Sequence, residues 1–277
     1  MVSIHNLGFG YSKKKPVFEG LNLELQAGNV YGLLGRNGAG KSSLLRNIAG
    51  LLTPTSGQCT INGHTPHLRQ PKFLQEVFFL PEELYIPPIS MREFVSIYEV
   101  FYPHFSQKQL DEYLKEFEVD SSVRLTELSL GQKKKALISF ALATNTPLLI
   151  MDEPTNGLDI PSKSQFRKII ASSITNERVI LISTHQVRDL ESLIDPIIIM
   201  DNREVLLNAG TDVIAERLSF KTVQQVTNHE KVLYSEHSIR GFGIVIPNED
   251  ESYTKVDLEL LFNAALEKPQ VIKQLFN

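Results

Sequence analysis

The sequence predicts an α/β fold with a largely parallel central sheet, and two observations support this prediction. From residue 131 onward, segments with helical spacing alternate with short apolar segments typical of buried strands. Near residues 30–49, a strand-like run enters a glycine-rich loop and continues at helical spacing. Such alternation implies parallel strands joined by helical crossovers. At 277 residues the chain can form one large domain with an appendage, or two modest domains.

The first half of the chain predicts a different arrangement around this core. Apolar and polar residues alternate through the first 25 positions, which indicates an antiparallel opening. The helix at 41–49 is expected to stop at Gly50. The dipeptide Asn62-Gly63 predicts a hairpin turn. We therefore expect an antiparallel β subdomain before the main sheet is completed.

A helical insertion of about 82–135 is predicted from proline-bounded segments with helical spacing. Its helices are expected at 91–102 and 107–118, the second capped by Ser106 and Gln109 in a capping box. The later elements are predicted as helix 131–143, strand 148–152, helix 161–174, strand 179–183, helix 186–193 and strand 197–200.

The last seventy residues give weaker signals and carry no motif that indicates chemistry. We predict a hairpin around Asp201-Asn202, a mixed segment, and an amphipathic helix at 255–267 that packs on the domain or contacts a partner. The domains are therefore expected at 1–207 and 208–277, the second a small α+β C-terminal extension.

Composition limits the classes of function. The net charge of −4 lacks the basic excess typical of nucleic-acid binders. The lysine runs 13–15 and 133–135 are expected to be a solvated turn and a solvated helix face. One cysteine, Cys59, excludes an intramolecular disulfide and fits a reducing compartment. The apolar runs are shorter than the roughly 20 residues that cross a bilayer, and the first residues do not look like a secretory signal. We expect a cytoplasmic protein.

A phosphate-binding P-loop is the clearest motif, running Gly35-Arg36-Asn37-Gly38-Ala39-Gly40-Lys41-Ser42, with Ser43 following. It lies between a predicted strand and a predicted helix, where this motif must lie. Its glycines let backbone N–H groups converge on phosphate oxygens at a helix N-terminus. Lys41 is expected to hold the terminal phosphates and Ser42 a Mg²⁺ ion.

The apolar strand predicted at 148–152 ends in two carboxylates, Asp152 and Glu153. In a parallel sheet this places Asp152 and Glu153 at the edge where ligands bind. Asp152 is the candidate second Mg²⁺ ligand. Glu153 is the candidate group that orients or deprotonates the attacking water.

The motifs between and after these elements resemble the ABC ATPase family. Leu128-Ser129-Leu130-Gly131-Gln132 resembles its signature motif, and 152–159 resembles its joined Walker B motif and D-loop, which ends at Asp159. His185 looks like its H-loop histidine. The similarity spans about 2–207. It implies a P-loop NTPase of the ABC type with a mixed sheet core, an antiparallel β subdomain and a helical insertion.

The resemblance also implies how the residues act. Two copies, or this chain and a close paralogue, pair head to tail, so that Ser129, Gly131 and Gln132 contact the ATP held by the other subunit. Tyr11 stands where the family stacks an aromatic ring on adenine, and His185 would contact the terminal phosphate. The implied cofactors are ATP and Mg²⁺.

Two positions depart from the family pattern. Glu82 replaces the Q-loop glutamine, which brings negative charge toward the phosphates. Leu130 replaces the first of two signature glycines, while Gly131 keeps the close backbone approach. We expect activity to be retained.

The favoured function is the ATPase subunit of a membrane transporter, attached to the inner face of the membrane through a separate permease. Its C-terminal helix favours export over import. The alternatives are a soluble ABC protein acting on ribosomes or nucleic acid, and a regulatory module that binds ATP without hydrolysing it. Two fused cassettes or long coiled-coil insertions would favour the soluble class, and the sequence has neither. Glu153 and His185 count against the regulatory module.

Overall fold

The strands of this protein form three sheets within the part of the chain that the computed structural model describes, residues 1–12, 15–226, 231–239, 241–249 and 253–276. Lys13 and Lys14, from the first predicted basic turn, lie outside these ranges. The strands are β1 Val2–Phe9, β2 Phe18–Leu25, β3 Asn29–Leu34, β4 Ser56–Ile61, β5 Val77–Leu80, β6 Leu148–Asp152, β7 Val179–Thr184, β8 Ile197–Asp201, β9 Glu204–Ala209, β10 Leu218–Val223, β11 Tyr234–Ser238 and β12 Gly241–Pro247. The helices are α1 Lys41–Ile48, α2 Pro71–Glu76, α3 Met91–Tyr98, α4 Gln107–Glu116, α5 Leu130–Ala143, α6 Ile160–Ser173, α7 Thr211–Arg217, α8 Leu258–Glu267 and α9 Pro269–Phe276.

The central sheet has the strand order β5-β6-β7-β3-β8-β9. Its first five strands are parallel and β9 is antiparallel, which confirms the predicted mixed sheet. Alternate residues of β6 enter two different cores, with Leu148 and Ile150 on one face and Leu149 and Met151 on the other. Strand β7 lies between β6 and β3, and all three strands are parallel. Their carboxyl ends therefore lie at the same edge of the sheet, which is where ligands bind in such sheets.

The antiparallel sheet β2-β1-β4 confirms the predicted opening. It packs with α1 over one face of the central sheet. The turn predicted at Asn62-Gly63 is confirmed, and it closes a hairpin that is only one residue pair long. Both residues have positive φ and form a turn, but only one bridge, Ile61 to His64, follows before a short 3-10 turn begins at Pro66.

The helical insertion contains α3 and α4, which join the core on the other face of the central sheet. The first helix is shorter than predicted because it tightens into a 3-10 turn at Glu99–Phe101. Ser106 caps α4 by accepting a hydrogen bond from the Gln109 amide. The predicted capping box is incomplete, since the Gln109 side chain instead accepts a bond from Asn145.

The segment after β7 is not the predicted helix 186–193. It forms only a 3-10 turn at Val187–Asp189 and further turns. The turns bury the apolar residues Val187, Leu190 and Ile194. Helical spacing of apolar residues therefore does not require a helix in this segment.

The C-terminal part forms the sheet β10-β12-β11, with α8 packed against β11 and β12. The hairpin predicted at Asp201-Asn202 is confirmed by the β8–β9 pairing. The C-terminal helix starts later than predicted, at Leu258, because Asp257 caps its first turn. Across the described ranges, we find no helix that is both long enough and apolar enough for a bilayer crossing.

Candidate active site

The glycine-rich loop joins β3 to α1 and surrounds an open cavity of 440 Å³. Gly38 and Gly40 have φ values of 84° and 102°, a left-handed conformation that glycine adopts without strain. Gly35 has no room for a side chain, because a Cβ atom there would lie 2.5 Å from the Met200 carbonyl oxygen. The backbone of the loop is therefore set by its glycines.

Most of the predicted nucleotide-binding residues line this cavity. The lining consists of Tyr11, Val17, Arg36, Asn37, Gly38, Gly40, Lys41, Ser42, Ser43, Glu82 and Glu153. Ala39 is buried within the loop itself.

Lys41 begins α1 and is 6% exposed. Its Nζ donates a hydrogen bond of 2.7 Å to the Gly35 carbonyl oxygen and lies 3.9 Å from Glu153 Oε1. Burial lowers the pKa of Lys41, while the carboxylates of Glu153, Asp152 and Glu82 act in the opposite direction. The lysine thus sits between the loop backbone and an acidic cluster.

Glu153 lies directly after β6, where its backbone turns sharply with a φ of 49°. The Ser183 carbonyl and hydroxyl oxygens accept bonds from its amide. Its Oε1 lies 2.9 Å from His185 Nδ1. Its Oε2 is buried and has no hydrogen-bond partner among the described residues. A buried carboxylate oxygen without a partner can accept a hydrogen bond from a ligand or from water.

Asp152 ends β6 and is almost fully buried. Its Oδ1 accepts a hydrogen bond of 2.5 Å from Ser183 Oγ. The Ser183 hydroxyl therefore contacts both acidic residues: it donates to the Asp152 carboxylate and accepts from the Glu153 backbone amide.

Tyr11 and Glu82 lie on the outer part of the cavity. Tyr11 is 64% exposed, its ring stands edge-on to Phe9, and its hydroxyl is 3.2 Å from Ser43 Oγ. Glu82 Oε1 accepts a hydrogen bond of 3.0 Å from Asn156. Glu82 is thereby tied to the loop that follows β6.

The signature residues are not part of the cavity. Ser129 and Gln132 form a capping box at the start of α5, each side chain bonding the backbone amide of the other. Gly131 lies beside the Gly157 carbonyl oxygen, which would be 3.4 Å from an added Cβ. Asp159 caps α6 through the Ser162 amide, and this hydrogen bonding lowers the pKa of Asp159. The structure thus separates these predicted residues from the P-loop of the same chain.

The expectation that residues 133–135 form a solvated face is wrong for Lys134, which is 4% exposed. Its Nζ donates hydrogen bonds of 2.8 Å to the carbonyl oxygens of both Glu153 and Asn156. The signal was present in the sequence, since Lys134 precedes the buried Leu137 and Ile138 by one helical turn.

Sequence reasoning also missed Ser183, Asn156 and Gln186. The Asn156 side chain links Glu82 to Gln186, since its amide nitrogen donates to Glu82 and its Oδ1 accepts a hydrogen bond of 3.4 Å from Gln186 Nε2. Polar residues of common types carry no distinguishing pattern, so only the packed loops reveal these contacts.

The parallel sheet, the P-loop before α1 and the two carboxylates at the end of β6 define a P-loop protein that binds a nucleoside triphosphate. The profile of the family described as "ABC transporter" matches residues 18–156. The chain belongs to the ABC transporter family, as one of its ATP-binding subunits.

Individual relatives agree with this assignment. The chain is 24% identical over 268 residues to the ABC transporter ATP-binding protein YtrB of Bacillus subtilis, covering 94% of this chain and 91% of that one. It is 32% identical over 236 residues to the bacitracin transport ATP-binding protein BcrA of Bacillus licheniformis, covering 82% and 76%. A solved structure described as the ATP binding subunit of an ABC transporter superposes with a TM-score of 0.69 at 26% identity, covering 77% of this chain and 91% of that one.

Proposed function

We propose that this chain binds ATP and Mg²⁺ at the P-loop cavity, hydrolyses the ATP, and thereby drives a separate membrane permease. The observation that carries the proposal is the position of Glu153. Its carboxylate faces the cavity beside Lys41 and His185, with Oε2 buried and without a partner in the described part of the chain. A carboxylate so placed can accept a proton from water or hold water in position.

The binding half of the proposal rests on the loop and Lys41. The N-terminus of α1 and the loop N–H groups favour an anion, and the Lys41 ammonium adds a charged donor. Asn37, Gly38, Ala39, Gly40 and Ser43 would shape this cradle, and Tyr11 would stack on the adenine ring. Tyr11 is exposed at the cavity rim, where a planar base has access.

Magnesium fits the oxygen donors that this site offers. Ser42 on the cavity wall would supply a hydroxyl and Asp152 at the end of β6 a carboxylate, the hard oxygen ligands that Mg²⁺ prefers. Glu82 is a further carboxylate on the wall. When bound, Mg²⁺ neutralises charge that develops on the phosphate oxygens.

The hydrolytic step is assigned to Glu153 and His185. Glu153 would orient water for attack on the terminal phosphate. His185 would hold the carboxylate through Nδ1 and contact the phosphate. Ser183 bonds both the Glu153 amide and the Asp152 carboxylate, so both acids are tied to β7.

A second subunit completes the site in this proposal. Ser129, Gly131, Gln132 and Asp159 lie outside the cavity of their own chain, and Ser129 begins a helix whose N-terminus favours phosphate. They would meet the ATP of a partner ABC subunit, either an identical copy or a paralogue. ATP would then draw the two subunits together, and hydrolysis would release them.

The permease and the location complete the proposal. The relative BcrA is named for bacitracin transport, which supports a transport function for this chain. We place the protein on the cytoplasmic face of the membrane, attached through an integral membrane permease, with no nucleic-acid partner. We further propose that 1–207 forms the ATPase domain and 208–277 an extension.

The test is the Glu153→Gln variant. The variant keeps the size of the side chain but removes the carboxylate that can accept a proton. ATP should therefore still bind, while turnover falls at least about 100-fold. Lys41→Ala should lose binding itself. Turnover at the wild-type rate in Glu153→Gln would remove the catalytic role. Purification from solubilised membranes should recover a permease, and recovery with ribosomes alone would favour the soluble alternative.

A further inference from the structure

Lys134 joins the helix that begins at the signature to the loop that carries Glu153. It lies on α5, five residues after Ser129. Its Nζ bonds the carbonyl oxygens of Glu153 and Asn156, both at 2.8 Å. One side chain therefore connects the helical insertion to both ends of the turn that follows β6.

The burial of Lys134 needs a physical reason, because an ammonium group is costly to remove from water unless it is paired. Burial lowers its pKa, and the carboxylates of Glu82, Glu153 and Asp152 partly offset this effect. The same three carboxylates therefore act on the pKa of both Lys134 and Lys41.

Glu153 depends on such support. Its left-handed backbone, with a φ of 49°, is unfavourable for a residue with a side chain and persists only where neighbours enforce it. Ser183 holds the amide on one side of the residue, and Lys134 holds the carbonyl on the other. These two contacts hold the backbone from which the Glu153 carboxylate projects toward Lys41 and His185.

We propose that Lys134 is a positioning residue for hydrolysis, which fixes the backbone of Glu153 and so places its carboxylate against the attacking water. This inference rests on the proposed ATPase function. It assigns no contact with ATP to Lys134, whose side chain does not line the cavity.

The test compares Lys134→Met with Lys133→Met in the full-length chain. Methionine keeps the length and apolar stem of lysine but removes the donors and the charge. Because a small misplacement of a catalytic group is costly, kcat should fall between about tenfold and 100-fold, while KM for ATP changes less than about threefold. Lys133, on the same helix but partly exposed, should tolerate the change.

Lys134→Arg restores a cation with N–H donors and should recover part of kcat. Equal kcat in Lys134→Met and Lys133→Met would overturn the inference, as would a loss of ATP affinity that matches the loss of kcat. If Lys134→Met does not fold, the arginine variant decides. Full or partial kcat with normal ATP affinity supports the inference, and a joint loss overturns it. The Glu153→Gln result judges the ATPase proposal separately.

Discussion

The P-loop side and the signature side of this molecule differ in how complete they are within one chain. On the P-loop side, Lys41 and Glu153 line one cavity, and the Glu153 carboxylate contacts both Lys41 and His185. On the signature side, the side chains of Ser129 and Gln132 bond each other's backbone amides in a capping box, and Leu130 beside them is 66% exposed. The first region surrounds a cavity within one chain, whereas the second is a capped helix start that lies outside this cavity.

The largest expected effect concerns the self-contained side. Lys41→Ala removes a buried charged donor and leaves Glu153 without its nearby cation. Hydrogen bonds to charged groups contribute about 1.5–3 kcal/mol, so ATP affinity should fall by up to about 100-fold. Titration with a fluorescent ATP analogue measures this. Unchanged affinity would mean that the cavity does not hold the phosphates.

The next prediction tests whether the signature side acts on another chain. Ser129→Arg blocks the start of α5 and should reduce turnover at least about tenfold, while a single chain binds ATP as before. Lys41→Ala and Ser129→Arg chains are each deficient alone. If two identical copies form the composite site, mixing them should restore activity, since one of the two sites then has an intact P-loop and an intact signature.

The mixed assay has a clear contrary result. Should the mixture remain as inactive as its parts, copies of this chain do not supply Ser129 to each other. Mixing each variant with itself at the same total concentration is the matched control, because it keeps the amount of dimer constant.

The difference between the two sides also explains what the sequence could predict. Motifs with fixed spacing on regular elements, such as the P-loop before α1 and the acids after β6, were placed correctly because strand and helix periods fix their positions. The parallel order of the sheet followed from the alternation of elements. The edge that gathers Gly35, Asp152 and His185 follows from that order.

Contacts made by loops could not be predicted in the same way. Lys134 was assigned to solvent because a run of three lysines is usually exposed, although its helical spacing matches that of the buried Leu137 and Ala141. The segment after β7 has helical spacing too, yet 3-10 turns bury the same apolar residues. Local pattern does not reveal which tertiary partner a side chain meets.

A smaller effect is expected for Tyr11, at the rim of the P-loop side. Base stacking on an aromatic ring contributes about 1–3 kcal/mol, so Tyr11→Ala should weaken ATP binding about fivefold or more. Tyr11→Phe keeps the ring and loses only the hydroxyl contact to Ser43, so it should bind nearly as well as the wild type. Equal losses in both variants would indicate that the hydroxyl, and not the ring, matters.

The smallest expected effect concerns Glu82, which lines the cavity and accepts a hydrogen bond from Asn156. Glutamine at this position keeps an oxygen that can accept the Asn156 bond and removes one negative charge from the cavity wall. The side chain is exposed and salt screens it, so ATP should bind only about twofold more tightly, and the gain should shrink as salt is raised. Glu83→Gln, an exposed neighbour that does not line the cavity, is the matched control. If ATP with Mg²⁺ bound more weakly in Glu82→Gln but not in Glu83→Gln, charge repulsion by Glu82 would be contradicted. The Glu82 carboxylate would then have to bind the metal more strongly than it repels the phosphates.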